Sequence, residues 1–143
     1  MTSTRLILNA RRVREWVRAH PTLREIIADV VDNWPAEYCQ LNDIHRSFAE
    51  NEKAGAKTQI HVQGPPWRAA DFGARDLGRT AGQAWDAVAA IADKINAIWI
   101  YDPARPAMQV AVSSQHGTGP HLHVQVCATT QRRAKYEAEL RTV

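Results

Sequence analysis

Apolar positions recur at two different periods along this chain, and the alternation between them predicts its elements. From Pro21 onward, Leu23, Ile26, Ile27, Val30, Val31 and Trp34 repeat at helical spacing. Pro21 suits a first helical position and Pro35 stops the run. Thr80 to Ala97 carries a second stripe, Trp85, Val88, Ile91, Ala92 and Ile95, which predicts another buried helix. A shorter helix is predicted over Ala10 to Ala19, with Val13, Trp16 and Val17 on one face.

Between and after these helices the period drops to that of strands. Tyr38 to Arg46, Gln59 to Val62, Arg68 to Phe72 and Ile98 to Tyr101 read as extended segments, and Phe48 to Ala56 as a short helix ending near Gly55. Gly64-Pro65-Pro66 forces a loop. Two later runs alternate strictly. In Met108 to Ser113 the residues Met108, Val110 and Val112 share one face; in His121 to Val126 the residues Leu122, Val124 and Val126 do. Residues 114–120, rich in glycine with a proline, join them, so an antiparallel pair is expected. Its apolar face should pack on helices, leaving His121, His123 and Gln125 on the other. Gln131 to Arg141 reads as a charged final helix anchored by Tyr136 and Leu140. The expected architecture is α+β: a small, mainly antiparallel sheet with helices on one face and a cleft on the other. One domain should span residues 1–143, with a helical N-terminal extension (1–35), a core (38–127) and the final helix (131–141).

Composition changes this picture little. At 143 residues with 45% hydrophobic and 23% charged positions, the chain can bury one modest core. It has no run long enough to cross a bilayer, and Met1 to Arg12 lacks the apolar centre of a secretory signal. Synthesis in the cytoplasm without a signal peptide is therefore expected. The net charge of +3 weakly favours an anionic partner, but the basic clusters at Arg11, Arg12, Arg14 and Arg18 and at Arg132, Arg133 and Lys135 read first as solvated helix faces. With no aromatic–basic stripe, a nucleic-acid partner is not expected. Cys39 and Cys127 form no Cys-x-x-Cys pair, and each reads as a small apolar core residue.

The candidate chemistry lies on the polar face of the last alternating run. Histidines at i and i+2 of a strand point the same way, and His121 and His123 would stand about 7 Å apart. Read with His61 and Asp71, they suggest a zinc site. His61, Asp71 and His123 supply two imidazoles and a carboxylate. That set leaves a fourth position for water and a net positive centre, which favours loss of a water proton near neutral pH. His121 could then serve as base or hydrogen-bond donor, and His116 could reach the rim. In a competing arrangement all four of His61, Asp71, His121 and His123 bind the ion, closing the site and making it structural. Asp71 also reads as a surface partner of Arg68, and His20 and His45 as ordinary surface or hydrogen-bonded core residues.

At these positions the chain resembles a family. Asp43-Ile44-His45-Arg46-Ser47, Glu50-Asn51, Gly55, His61, Gly64 and Arg68-Ala69-Ala70-Asp71-Phe72 look like the first motif block of the LAS-type peptidoglycan-cleaving zinc peptidases. These are the D-alanyl-D-alanine carboxypeptidase and L-alanyl-D-glutamate endopeptidase group. Gly119-Pro120-His121-Leu122-His123-Val124-Gln125-Val126 looks like the second block in its His-x-His form. The resemblance spans roughly residues 38–127 and implies a Hedgehog/D-Ala-D-Ala-peptidase-like fold. It implies zinc bound by His61, Asp71 and His123, catalysis assisted by His121 or His116, and Arg46 on the substrate or tetrahedral intermediate. It also implies peptidoglycan stem peptides as substrate and a phage or prophage wall-degrading role, with action after release or within a phage particle. A non-catalytic zinc-binding or wall-binding module of a phage particle, and a zinc peptidase acting on ordinary protein, are the alternatives. Two features depart from the family pattern. The His61-to-Asp71 interval is lengthened by a stretch that Pro65-Pro66-Trp67 would form, a stiff bulge able to line the cleft with an indole. The acidic residue that many relatives carry shortly before the last zinc ligand is replaced by Pro120.

Overall fold

The computed structural model describes residues 4–44, 50, 53, 60, 64, 66–113 and 119–135. Within them the chain forms an α+β fold of three helices, a mixed five-stranded sheet and a small two-stranded sheet. The order is β1 (Arg5–Ile7), α1 (Ala10–Trp16), α2 (Pro21–Asp32), β2 (Tyr38–Asp43), β3 (Ala69–Gly73), a 3₁₀ turn (Arg75–Leu77), α3 (Ala81–Ile98), β4 (Trp99–Ile100), β5 (Ala111–Val112), β6 (His121–Gln125) and β7 (Gln131–Arg132). The large sheet runs β1-β2-β3-β6-β5, with β1 parallel to β2 and every other pairing antiparallel. No helix among the described residues is long and apolar enough to cross a membrane.

The two long stripes fold as the periodicity predicts. Leu23, Ile26, Ile27 and Val30 of α2 and Val88, Ile91 and Ile95 of α3 are buried in one core with Leu41, Ala70, Phe72, Leu122 and Val124 of the sheet. Each fully buried aliphatic side chain contributes about 1.5–3 kcal/mol over leaving it in water. His20 caps α2 through Nδ1, which accepts from the Thr22 amide at 3.1 Å. Thr80 caps α3 through its hydroxyl, which accepts from the Gln83 amide at 3.1 Å. Asn96 near the end of α3 clamps the edge strand β5, donating to the Ala111 carbonyl at 2.8 Å and accepting from its amide at 2.9 Å.

Other expectations are corrected. In α1, Val13 and Val17 are 49% and 67% exposed, whereas Arg12 and Glu15 are 5% and 7% exposed. The helix turns its charged side inward because Arg12 meets Glu15 and, at 2.9 Å, Asp43 at the end of β2. Arg11 in turn pairs with Glu15 at 3.0 Å and Glu50 at 2.8 Å. The reading of these arginines as solvated faces therefore fails for Arg12. In β5 the phase is shifted by one residue: Ala111 opposes Val124 and Val112 opposes His123, so Val112 shares the polar face and Met108 is exposed. Ile98–Tyr101 contributes only the short β4, which pairs with β7 instead of joining the large sheet. Gln131 and Arg132, expected to open a helix, are that β7 strand. The Arg132 guanidinium stacks 4.3 Å from the Trp99 ring centroid and donates to Asp29 of α2 at 3.2 Å. Trp67 does not line a cleft; it is buried in the core and its backbone bridges to Ala19. The indole also lies against Gly64, where an added Cβ would come within 2.3 Å of the ring, at a φ of +152° that glycine tolerates.

Both cysteines are buried and free, in keeping with their reading as apolar core residues. Burial pushes the Cys39 thiol up to about 12. Most of the expected strand at 59–62, most of the helix at 48–56 and the final helix beyond residue 135 lie outside the described residues.

Candidate active site

The polar face of the sheet is built around one cross-strand pair. Asp71 stands on β3, the central strand, directly opposite His123 on β6. Alternation along β6 sends Leu122 and Val124 into the core and His121, His123 and Gln125 to the other face, which is why these polar residues can occupy a central strand at all. The His123 ring donates from Nδ1 to Asp71 Oδ1 at 2.8 Å. Asp71 is only 6% exposed, so this is a largely desolvated contact and not a surface pair. Opposite His121 and Gln125, β3 presents Gly73 and Ala69, small residues that leave room for an imidazole and a carboxamide.

Each neighbour of the pair has a defined partner. His123 Nε2 meets Gln125 Oε1 at 3.1 Å, while Gln125 Nε2 donates to the Gln109 carbonyl at 3.0 Å, which orients the amide. His121 Nδ1 faces the Gly119 carbonyl at 2.8 Å. Only a ring N–H satisfies a carbonyl there, so in the neutral ring the basic electron pair sits on Nε2. Trp85 of α3 lies edge-on to the His121 ring, centroids 5.6 Å apart, and fixes its plane. On the other side of β3, Asp43 of β2 is in register with Asp71 and takes the Arg12 guanidinium. Two carboxylates on adjacent strands thus have different partners, one an arginine and the other a histidine.

The structure therefore brings together three of the residues singled out in the sequence: Asp71 and His123 in contact, and His121 beside them on the same strand. His61, Arg46 and His116 lie outside the described residues. Among the described residues no group of three or more His, Cys, Asp or Glu side chains is placed to hold a metal ion. Two candidate donors, Asp71 Oδ1 and His123 Nδ1, are described, and they are hydrogen-bonded to each other at 2.8 Å; a metal ion held by both would have to take the place of the Nδ1 proton. The alternation that marks the histidines also places Gln125 on this face but gives it no role, and the sequence does not disclose Trp85 or the Arg12–Asp43 pair as parts of this environment. The other contacts join distant segments and leave no local signal. No protein-family model matches the chain, and no curated protein or solved structure matches it at a significant level.

Proposed function

We propose that the chain is a zinc-dependent amide hydrolase acting on the peptide stems of peptidoglycan, a phage or prophage wall-degrading enzyme of the LAS type. The finer fold reading, a Hedgehog/D-Ala-D-Ala-peptidase-like sheet with a zinc cleft on its polar face, belongs to the same proposal. The observation that carries it is the direct contact of Asp71 with His123 on neighbouring strands, the two ends of separate motif blocks. His61, Asp71 and His123 would hold the ion. Bound zinc supplies an activated water and polarises the scissile carbonyl. His121, whose Nδ1 is occupied by the Gly119 carbonyl, presents Nε2 to take up a proton and return it to the leaving amine. Arg46 would hold the substrate or the developing oxyanion, and His116 would assist at the rim. Action on the wall follows release from the producing cell or carriage on a phage particle.

A second reading, a non-catalytic module of the same fold, is favoured by one observation. Both ring nitrogens of His123 already have partners, Asp71 and Gln125, which is how a purely structural polar network looks.

One experiment separates them. Zinc content and digestion of purified peptidoglycan are measured for the unaltered chain and two variants, with and without chelator. His123→Ala is expected to remove bound zinc and all wall lysis. His121→Ala should keep zinc and lose roughly 10²–10⁴-fold in rate. If His121→Ala strips the metal while His123→Ala keeps it, the two roles are reversed. If neither changes metal content, the site is misassigned; zinc bound without lysis by the unaltered chain leaves the non-catalytic reading.

A further inference from the structure

We propose that the outward face of α1 is a docking surface for anionic lipid headgroups, on which the chain lies against a bilayer without crossing it. The inference goes beyond the hydrolase reading and does not depend on it. Ala10, Val13, Arg14, Val17 and Arg18 are all exposed. They stand at i, i+3, i+4, i+7 and i+8, the positions that share one face of a helix. The last two extend α1 by a tightened turn, in which the Val17 amide bonds to the Val13 carbonyl at 3.4 Å and the Arg18 amide to the Glu15 carbonyl at 3.0 Å. Ile7, Val13 and Val17 are three of the five exposed large hydrophobic side chains among the described residues, so exposed hydrocarbon is concentrated at this end of the molecule.

The same stripe carries cations and no acid. Glu15, the acidic residue of α1, is buried and paired with Arg11 and Arg12. Arg24 donates to the Trp16 and Val17 carbonyls at 3.4 Å, which holds a further guanidinium at the end of the stripe. The helix is also fixed before anything docks. Asn9 caps it by accepting from the Arg12 amide at 2.9 Å, and Arg12 ties its inner side to Asp43. The charge pattern then selects the occupant. A second copy of the chain on this face would set one cationic stripe against another, and like charges oppose that. A soluble polyanion meets the arginines but leaves the valines in water. An anionic bilayer meets both, with phosphates for the guanidinium groups and hydrocarbon beneath them for the valines.

The test measures cosedimentation of the full chain with phosphatidylcholine vesicles and with vesicles in which about a third of the lipid is phosphatidylglycerol. Binding to the anionic vesicles is expected to be about 10-fold tighter or more, and added salt should weaken it. Arg14→Gln with Arg18→Gln should weaken it by about 10- to 30-fold, since each basic residue near a charged surface contributes about fivefold. Val13→Ser with Val17→Ser should weaken it by about 10-fold at unchanged charge. Arg79→Gln with Lys94→Gln removes two charges from exposed positions elsewhere and should change it by no more than about twofold. Every replaced side chain is exposed, so the fold is retained in all three variants. No binding by the unaltered chain, or equal affinity for the two kinds of vesicle, overturns the proposal. So does an equal loss in the Arg79 and Lys94 variant, which would mark net charge and not this face. Soluble polyphosphate is the third probe. Polyphosphate bound as tightly as the anionic vesicles, with the serine variant indifferent to both, makes the face a polyanion site and also overturns it.

Discussion

α1 and α2 follow one another in the chain, both carry apolar residues at helical spacing, and they are oriented in opposite senses. α2 turns Leu23, Ile26, Ile27 and Val30 into the core. α1 turns Arg12 and Glu15 inward and leaves Val13, and Val17 at its C-terminal cap, to solvent. The difference lies in what each helix meets. α2 packs on the apolar side of the sheet, where only hydrocarbon can be accommodated. α1 meets the end of β2, where Asp43 already places a charge, and a guanidinium bonded to two carboxylates is the better neighbour there. Apolar spacing fixes helicity, but the partner surface decides which face is buried.

That contrast can be broken by substitution, and equilibrium denaturation of each variant measures the outcome. Ile27→Ala in α2 should have the largest effect, a loss of about 2–5 kcal/mol, because a rigid core closes poorly over the cavity left behind. Arg12→Ala should come next, at roughly 2–3 kcal/mol. This is less than removal from a fully buried pair, because Asp43 retains 27% side-chain exposure. A cost for Arg12→Ala above that of Ile27→Ala would make the ionic contact, and not the core, the dominant anchor of the N-terminal region. Val17→Ala should be smallest, within about 0.5 kcal/mol. A larger loss would mean that the exposed face of α1 is covered in solution.

The same reasoning explains what the sequence discloses. α2, α3 and β6 are legible because each carries enough turns or alternations for its own period to settle type and phase. The polar face of β6 is legible for that reason, and the family resemblance is what links His123 to Asp71. β1 and β7 are too short to carry a period and exist because β2 and β4 offer them backbone partners. The run Leu6-Ile7-Leu8 was the available signal for β1. The sequence pattern puts β5 one residue out of phase because Val110 is buried just outside the strand, beside the buried Ala111, and the alternation breaks there. The proline-rich flank of Trp67 suggests a cleft position, yet the core takes a large apolar ring when one is within reach. The Arg12–Asp43 contact joins segments 31 residues apart and has no local signature.

Asp71 occupies the middle position of five strands, with β2 and β1 on one flank and β6 and β5 on the other. Loosening that begins at either rim must travel through an intact ladder before it reaches this carboxylate. An outer ribbon could thus peel back without changing the separation between the acid and its imidazole neighbour. Central placement gives that contact a persistence close to that of the folded state itself.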